Sequence, residues 1–167
     1  MKFFSKQETL WIGIILFLII VLSLFNFRIS LRRARDAQRK GDIREYSRFL
    51  GRFQNEYGFI PTSLDGKIVT CDIKFDEKGD PIFSPCEWDP SDPHDSKGAK
   101  YYYLSNSKRY QIFACLEGKS EAEYDLKIEA RNLPCGARIC NFGLSSGNTP
   151  LDKSIEEYEN ELLEKDL

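Results

Sequence analysis

The chain has 167 residues, enough for one small domain with an appendage and too few for two full domains. Hydrophobic residues make up 41% of it and the net charge is −2, but neither is spread evenly. Residues 41–167 carry 16 basic and 24 acidic side chains, a negative surplus that argues against nucleic acid as a partner, since binding a phosphate backbone needs positive charge.

In chain order, the first feature is an apolar run. Thr9 to Phe27 contains no charged side chain and is mostly Leu, Ile, Val and Phe. As a helix these residues rise roughly 28 Å, close to the hydrocarbon thickness of a bilayer. A buried core helix is one alternative, but a segment apolar on every side needs protein on every side, which so small a domain does not supply. A cleaved secretory signal is another. Such signals have shorter apolar regions ending in a small-x-small site, whereas this run ends Phe25-Asn26-Phe27-Arg28. The expectation is an uncleaved single-pass anchor in contact with membrane lipid: residues 1–8 a short cytoplasmic N-terminus, 9–27 the transmembrane helix.

The next stretch is basic. Arg28, Arg32, Arg33, Arg35, Arg39 and Lys40 lie within thirteen residues that hold one acid, and beside a membrane they would meet anionic head groups. Counting Lys and Arg near the span puts this C-terminal flank in the cytoplasm. Cysteine usage points the other way: Cys71, Cys86, Cys115, Cys135 and Cys140 in a short acidic region imply disulfides and an oxidising compartment. The reading sides with an extracytoplasmic C-terminal domain at the cell membrane.

Residues 28–57 contain no proline, and Ile43, Tyr46, Leu50, Phe53 and Tyr57 recur at spacings of three and four, an apolar stripe on a helix. One helix is predicted from about residue 8 to about residue 57, with a plausible bend at Gly41. Gly58 and Pro61 end it. A globular β domain follows over 58–150. Lys67 to Phe75 reads as a strand, 76–81 as a turn, and Ile82 to Ser84 as a brief return. Glu87 to Gly98 is a loop dense in Asp, Pro and Ser. Ala99–Leu104 and Tyr110–Leu116 are the best strands, joined by a turn at 105–109. Tyr124–Ala130 fits a strand or a short helix, and Leu133–Gly147 is irregular. Asp152–Asp166 reads as an acidic helix, docked or frayed, within a C-terminal segment 151–167.

Few residues invite chemistry. Cys71 and Cys86 flank the first hairpin and are expected to pair. Cys115 could reach Cys135 or Cys140, and one of the five thiols must remain over. Zinc is the alternative use of the cysteines, but Cys135-x4-Cys140 without a Cys-x2-Cys pair is a poor zinc spacing. Asp89, Asp92 and Asp95, with Glu87, are weak calcium candidates; their spacing is not that of an EF-hand loop, and Pro90 and Pro93 stiffen it. A solvated acidic loop is the better reading, and no metal or other cofactor is expected. His94 has no nucleophile motif around it. Tyr101-Tyr102-Tyr103 fits a strand with one or two rings in the core better than a ligand platform. Nothing resembles a nucleotide loop or a catalytic triad, so no enzyme is expected.

The string Ala34-Arg35-Asp36-Ala37-Gln38-Arg39-Lys40-Gly41-Asp42-Ile43, followed by Tyr57-Gly58-Phe59-Ile60-Pro61, with Lys2-Phe3-Phe4-Ser5-Lys6-Gln7-Glu8 ahead of the apolar run, resembles the N-terminal helix of type IV pilins and of the pseudopilins of type II secretion systems. The resemblance covers about residues 3 to 61. It implies an α+β fold in which a long N-terminal helix, transmembrane in its first half, packs on a small antiparallel sheet. It also implies a structural role in a cell-envelope filament or a type II secretion or type IV pilus machine, with pilin-like subunits or assembly proteins as partners. Glu8 stands where that family carries the glutamate that pairs with a neighbour's N-terminal amine, which makes Phe4 the first residue of a mature form. Phe3 occupies the position where the family has its cleavage glycine, and the family's proline within the membrane helix is missing. Phe3 favours the alternative of a membrane-anchored binding module that keeps the fold without polymerising, while Glu8 and the charged string of the emerging helix favour the subunit.

Overall fold

The computed structural model describes residues 6–75, 81–88 and 98–165, with backbone alone for 6, 69–75 and 81–88. The fold is α+β. The described residues form three helices and eight short strands: α1 (Lys6–Tyr57), β1 (Ser63–Leu64), β2 (Lys67–Phe75), β3 (Pro81–Trp88), β4 (Tyr102–Ser105), β5 (Tyr110–Ala114), α2 (Leu126–Ala130), β6 (Pro134–Cys135), β7 (Arg138–Ile139), β8 (Phe142–Ser145) and α3 (Ile155–Lys165). The chain divides into two compact units, Met1–Arg35 and Asp36–Leu167, and the boundary falls within α1.

In the first unit α1 is apolar on all sides over residues 9–27 and has one window of mean hydropathy 2.7 that is buried nowhere within the chain. By length and composition this is the one helix among the described residues able to cross a membrane.

In the second unit the rest of α1 obeys a different rule. Ile43 and Leu50 are fully buried, Phe53 nearly so, and Tyr46 is half-buried. The stripe expected from the spacing therefore faces the core, except that Tyr57 is 38% exposed; its ring leans on Phe53 at 4.7 Å between centroids instead of entering the core. The helix ends at Gly58, whose φ of 79° is the left-handed conformation that closes helices and suits glycine.

The sheet under this stripe is antiparallel, ordered β4-β5-β8. Tyr102 pairs with Phe113 and Ser105 with Tyr110 across the predicted hairpin, while Phe113 faces Gly143 on the other side. A Cβ on Gly143 would lie 2.7 Å from the Phe113 ring, so only glycine lets the two strands pair with that ring between them. Strand β4 begins later than expected: Ala99 makes only an isolated bridge to Gly136. Side chains of β5 alternate between two cores, as period two requires. Tyr110, Ile112 and Ala114 join Ile43, Leu50 and Tyr103 on one face. Phe113 and, just past the strand, Cys115 join Ile128, Cys135 and Cys140 on the other. The central sheet is thus sandwiched between α1 and the C-terminal third of the chain.

A second sheet, β1-β2-β3, carries the predicted first hairpin. Strand β3 runs to Trp88, well beyond the brief return expected, and pairs with β2 through two irregularities near Thr70. The stretch read as irregular, 133–147, holds β6, β7 and β8. Tyr124–Ala130 resolves as the short helix α2, capped by Asp125, whose carboxylate accepts the Lys127 amide at 2.8 Å.

The acidic C-terminal segment is a formed helix. Ser154 and Glu157 make a reciprocal capping box: the Ser154 hydroxyl accepts the Glu157 amide at 3.1 Å and the Glu157 carboxylate accepts the Ser154 amide at 2.7 Å. The bond from the Ser154 amide, the largest of the causes, lowers the Glu157 carboxyl below its usual value. Gln111, fully buried on β5, donates to the Pro150 and Lys153 carbonyls and so ties the approach to α3 onto the sheet.

Candidate functional site

Nothing among the described residues resembles a catalytic centre, so the candidate site is α1 itself: its apolar first part and the contacts that dock its second part. From Leu10 to Phe27 the large apolar side chains are 41–68% exposed. Side chains so apolar and so uncovered are at home in lipid. Glu8 lies in the first helical turn and is exposed, where the positive end of the helix dipole favours a carboxylate. Phe4 lies outside the described residues.

Docking of the second part begins at once. Asp36, with no exposed surface, accepts the Glu117 amide at 2.8 Å and the Gly118 amide at 2.9 Å, one at each carboxylate oxygen. Arg39, one turn on and 1% exposed, reaches both Asp36 and Glu117 at 3.0 Å. Burying two such ions is costly unless each is paired and hydrogen-bonded, and here both are. The loop that leaves β5 is therefore pinned to one place on the helix.

Lys40 continues the clamp. Its ammonium lies 3.0 Å from both Glu121 and Glu123. Those hydrogen bonds, Glu121 first, push its pKa above the usual lysine value, and the bond from Lys40 draws the Glu123 carboxyl down. Asp42 takes the Tyr101 hydroxyl at 2.6 Å, and Ser47 shares a hydrogen bond with the Tyr110 hydroxyl at 2.8 Å. The tyrosine run is accordingly divided: Tyr101 and Tyr103 are buried towards α1, while Tyr102 packs on the opposite core.

These contacts correct one expectation. Arg39 and Lys40 are not head-group contacts, because the first is buried and the second is held by two carboxylates of its own domain. The role of Asp36 was not foreseen. A signal existed, since Asp36, Arg39, Ile43, Tyr46, Leu50 and Phe53 form one unbroken stripe at spacings of three and four, two charged members preceding the apolar ones.

On the far side of the sheet Cys135 and Cys140 are bonded to each other, with Cα atoms 5.1 Å apart. The alternative of joining Cys115 to either one gives way to this local pair, because the β6–β7 hairpin already folds the two cysteines together. Cys115 is a buried thiol. Burial raises its pKa, opposed by the nearby Arg138, and the Asn141 amide points at its sulfur from 3.8 Å. It lines an open cleft of about 630 Å³ together with Tyr124, Glu129 and Arg138. Cys71 and Cys86 lie on the paired strands β2 and β3, but the bond expected between them lies outside the described side chains. Asp89, Asp92, Asp95 and His94 lie outside the described residues altogether, and Glu87 is described by its backbone alone.

No protein-family model, no curated protein and no solved structure matches the chain.

Proposed function

We propose that this chain is a pilin-like or pseudopilin-like structural subunit of a cell-envelope filament, or of a type II secretion or type IV pilus machine. It is anchored by residues 9–27 with its C-terminal domain outside the cytoplasm. The observation that carries the reading is the division of labour along α1. An apolar stretch long enough for a bilayer passes directly into a stripe laid over an antiparallel sheet. The charged string that carries the family resemblance supplies the docking contacts through Asp36, Arg39, Lys40 and Asp42. In this reading the work is structural, not catalytic, and the partners are further pilin-like subunits or assembly proteins.

Glu8 is the residue through which the proposal can be tested. A carboxylate near the membrane edge is best satisfied by a cation, here one from a neighbouring subunit. Cross-linking membrane helices in intact envelopes should give a regular ladder in the wild-type chain, and Glu8→Lys should abolish it while leaving insertion and domain folding intact. A wild-type chain that gives no ladder rejects the subunit. Phe3 at the cleavage position favours the second reading, a non-polymerising anchored binding module, for which Glu8→Lys behaves like wild type because a head-group lysine snorkels readily.

A further inference from the structure

Three sulfur-bearing side chains share the buried cluster behind the central sheet: Cys115, Cys135 and Cys140 pack there with Phe113 and Ile128. Two of them are bonded and the third is a thiol. The backbone sets that thiol beside Cys140. Strand β5 pairs with β8 as far as Ala114 and Phe142, and one step on the Asn141 amide donates to the Ala114 carbonyl at 3.1 Å. The Asn141 side chain accepts the Leu116 amide at 2.7 Å and donates to the Leu116 carbonyl at 3.0 Å. Asn141 therefore stands across from Cys115, and Cys140 is its neighbour in sequence. Cys140 is itself held in place, its amide donating to the Leu133 carbonyl at 3.0 Å. The Cys115 thiol has only weak partners, the Leu116 carbonyl at 3.7 Å and the Asn141 amide at 3.8 Å.

We propose that Cys115 is an exchange partner for this disulfide, so that the domain has two cross-linked states. The Cys115 sulfur attacks the Cys140 Sγ; a Cys115–Cys140 bond forms as the Cys135–Cys140 bond breaks. The proton lost by the Cys115 thiol goes to water in the cleft that it lines, and the Cys135 sulfur takes one up in return. One disulfide and one thiol stand on each side, so the step needs no oxidant and no reductant. Arg138, between the two bonded cysteines in sequence, favours the thiolate that attacks, against the opposing effect of burial. Exchange moves the covalent tie from within the β6–β7 hairpin to the junction of β5 and β8. The new bond closes twenty-five positions where the old one closes 5, and so constrains the unfolded chain more. It also releases the hairpin, which rests on the segment ahead of β4: the Lys100 amide donates to the Cys135 carbonyl and the Ala137 amide to the Gly98 carbonyl, both at 3.2 Å. That contact is the element the exchange loosens. The inference concerns the domain alone and holds for an assembled subunit and for a solitary anchored module alike.

The detergent-solubilised full chain provides the test, quenched in acid, alkylated after denaturation and read by peptide mapping. Wild type incubated with a catalytic amount of a small thiol should give a major Cys135–Cys140 peptide and a minor Cys115–Cys140 peptide, with Cys135 alkylated in proportion to the second. Cys115→Ser should lose the minor product. In Cys135→Ser, oxidised glutathione should join Cys115 to Cys140 in most of the chains that remain folded by near-ultraviolet circular dichroism. Folded Cys135→Ser that keeps both thiols, or whose thiols are captured singly by glutathione, would overturn the proposal. So would wild type in which Cys135–Cys140 is the sole bond among the three cysteines after incubation, a measurement that decides alone where the variant does not fold.

Discussion

The two stretches of α1 belong to one helix from Lys6 to Tyr57, yet their side chains follow different patterns. Between Leu10 and Phe27 every large apolar side chain is exposed within the chain. Between Asp36 and Phe53 one stripe is buried and the opposite face is charged. The same backbone geometry serves both, and what differs is where apolar side chains fall around the axis: on all sides in the first stretch, and on the side that meets the sheet in the second. The passage from one pattern to the other is marked not by a break in the helix but by a pair of buried ions, Asp36 and Arg39, which tie it to the loop after β5.

The sharpest way to break the comparison is at that tie. Asp36→Ala takes one carboxylate partner from the buried Arg39 and leaves two backbone amides without that acceptor, and should destabilise the domain by about 3–5 kcal/mol. Chemical denaturation of the detergent-solubilised chain measures this, and Asp36→Asn, which keeps an acceptor, should cost less.

A matched pair of truncations sharpens it further. Leu50→Ala removes a fully buried side chain and should cost about 2–5 kcal/mol. Leu18→Ala, the same change where the side chain is 53% exposed, should leave domain unfolding within about 0.5 kcal/mol of wild type. Equal costs would mean that the first stretch is packed against protein after all.

On the other side of the sheet, Cys140→Ser opens a bond that closes a five-residue separation. Such a short loop is worth about 2 kcal/mol in the chain-entropy model, measurable by the same denaturation.

The smallest effect is at the clamp. Lys40→Ala should cost under about 1 kcal/mol, since Glu123 is partly in water. Its pH dependence has a definite sign. The lysine pKa is raised above 10.5, so its contribution is complete below that pH and is lost as pH rises through the higher folded value. The Glu123 pKa is lowered below 4.5, so its contribution is complete above that pH and is lost as pH falls through the lower folded value. A stability profile for Lys40→Ala should therefore converge on wild type at both extremes and differ in between.

Much of this was legible before the structure, because it depends on local period. The apolar run, the stripe from Ile43 to Phe53 and the hairpin joining Tyr102–Ser105 to Tyr110–Ala114 each repeat within a few residues. What was not legible depends on distant partners or on strands too short to show a pattern. Asp36 is hidden by residues 81 and 82 positions away; its place on the stripe marks it as facing inward, but nothing near it in sequence announces the amides it accepts. The pairing of Cys135 with Cys140 follows from a two-residue hairpin, β6–β7, inside a stretch with no alternating pattern to reveal it. Strand β8 has only Phe142-Gly143-Leu144-Ser145 to signal it, and its glycine reads as a breaker until the ring of Phe113 is seen beside it.

The central claim, that α1 passes from lipid to protein core along its length, is tested most directly by a photoactivatable lipid probe. The full chain is labelled in bilayers and the modified residues are read by peptide mass spectrometry. Modification is predicted on all faces of residues 10–27 and absent from Ile43, Leu50 and Phe53. Labelling confined to one stripe of residues 10–27, or reaching Ile43 and Leu50, would contradict it.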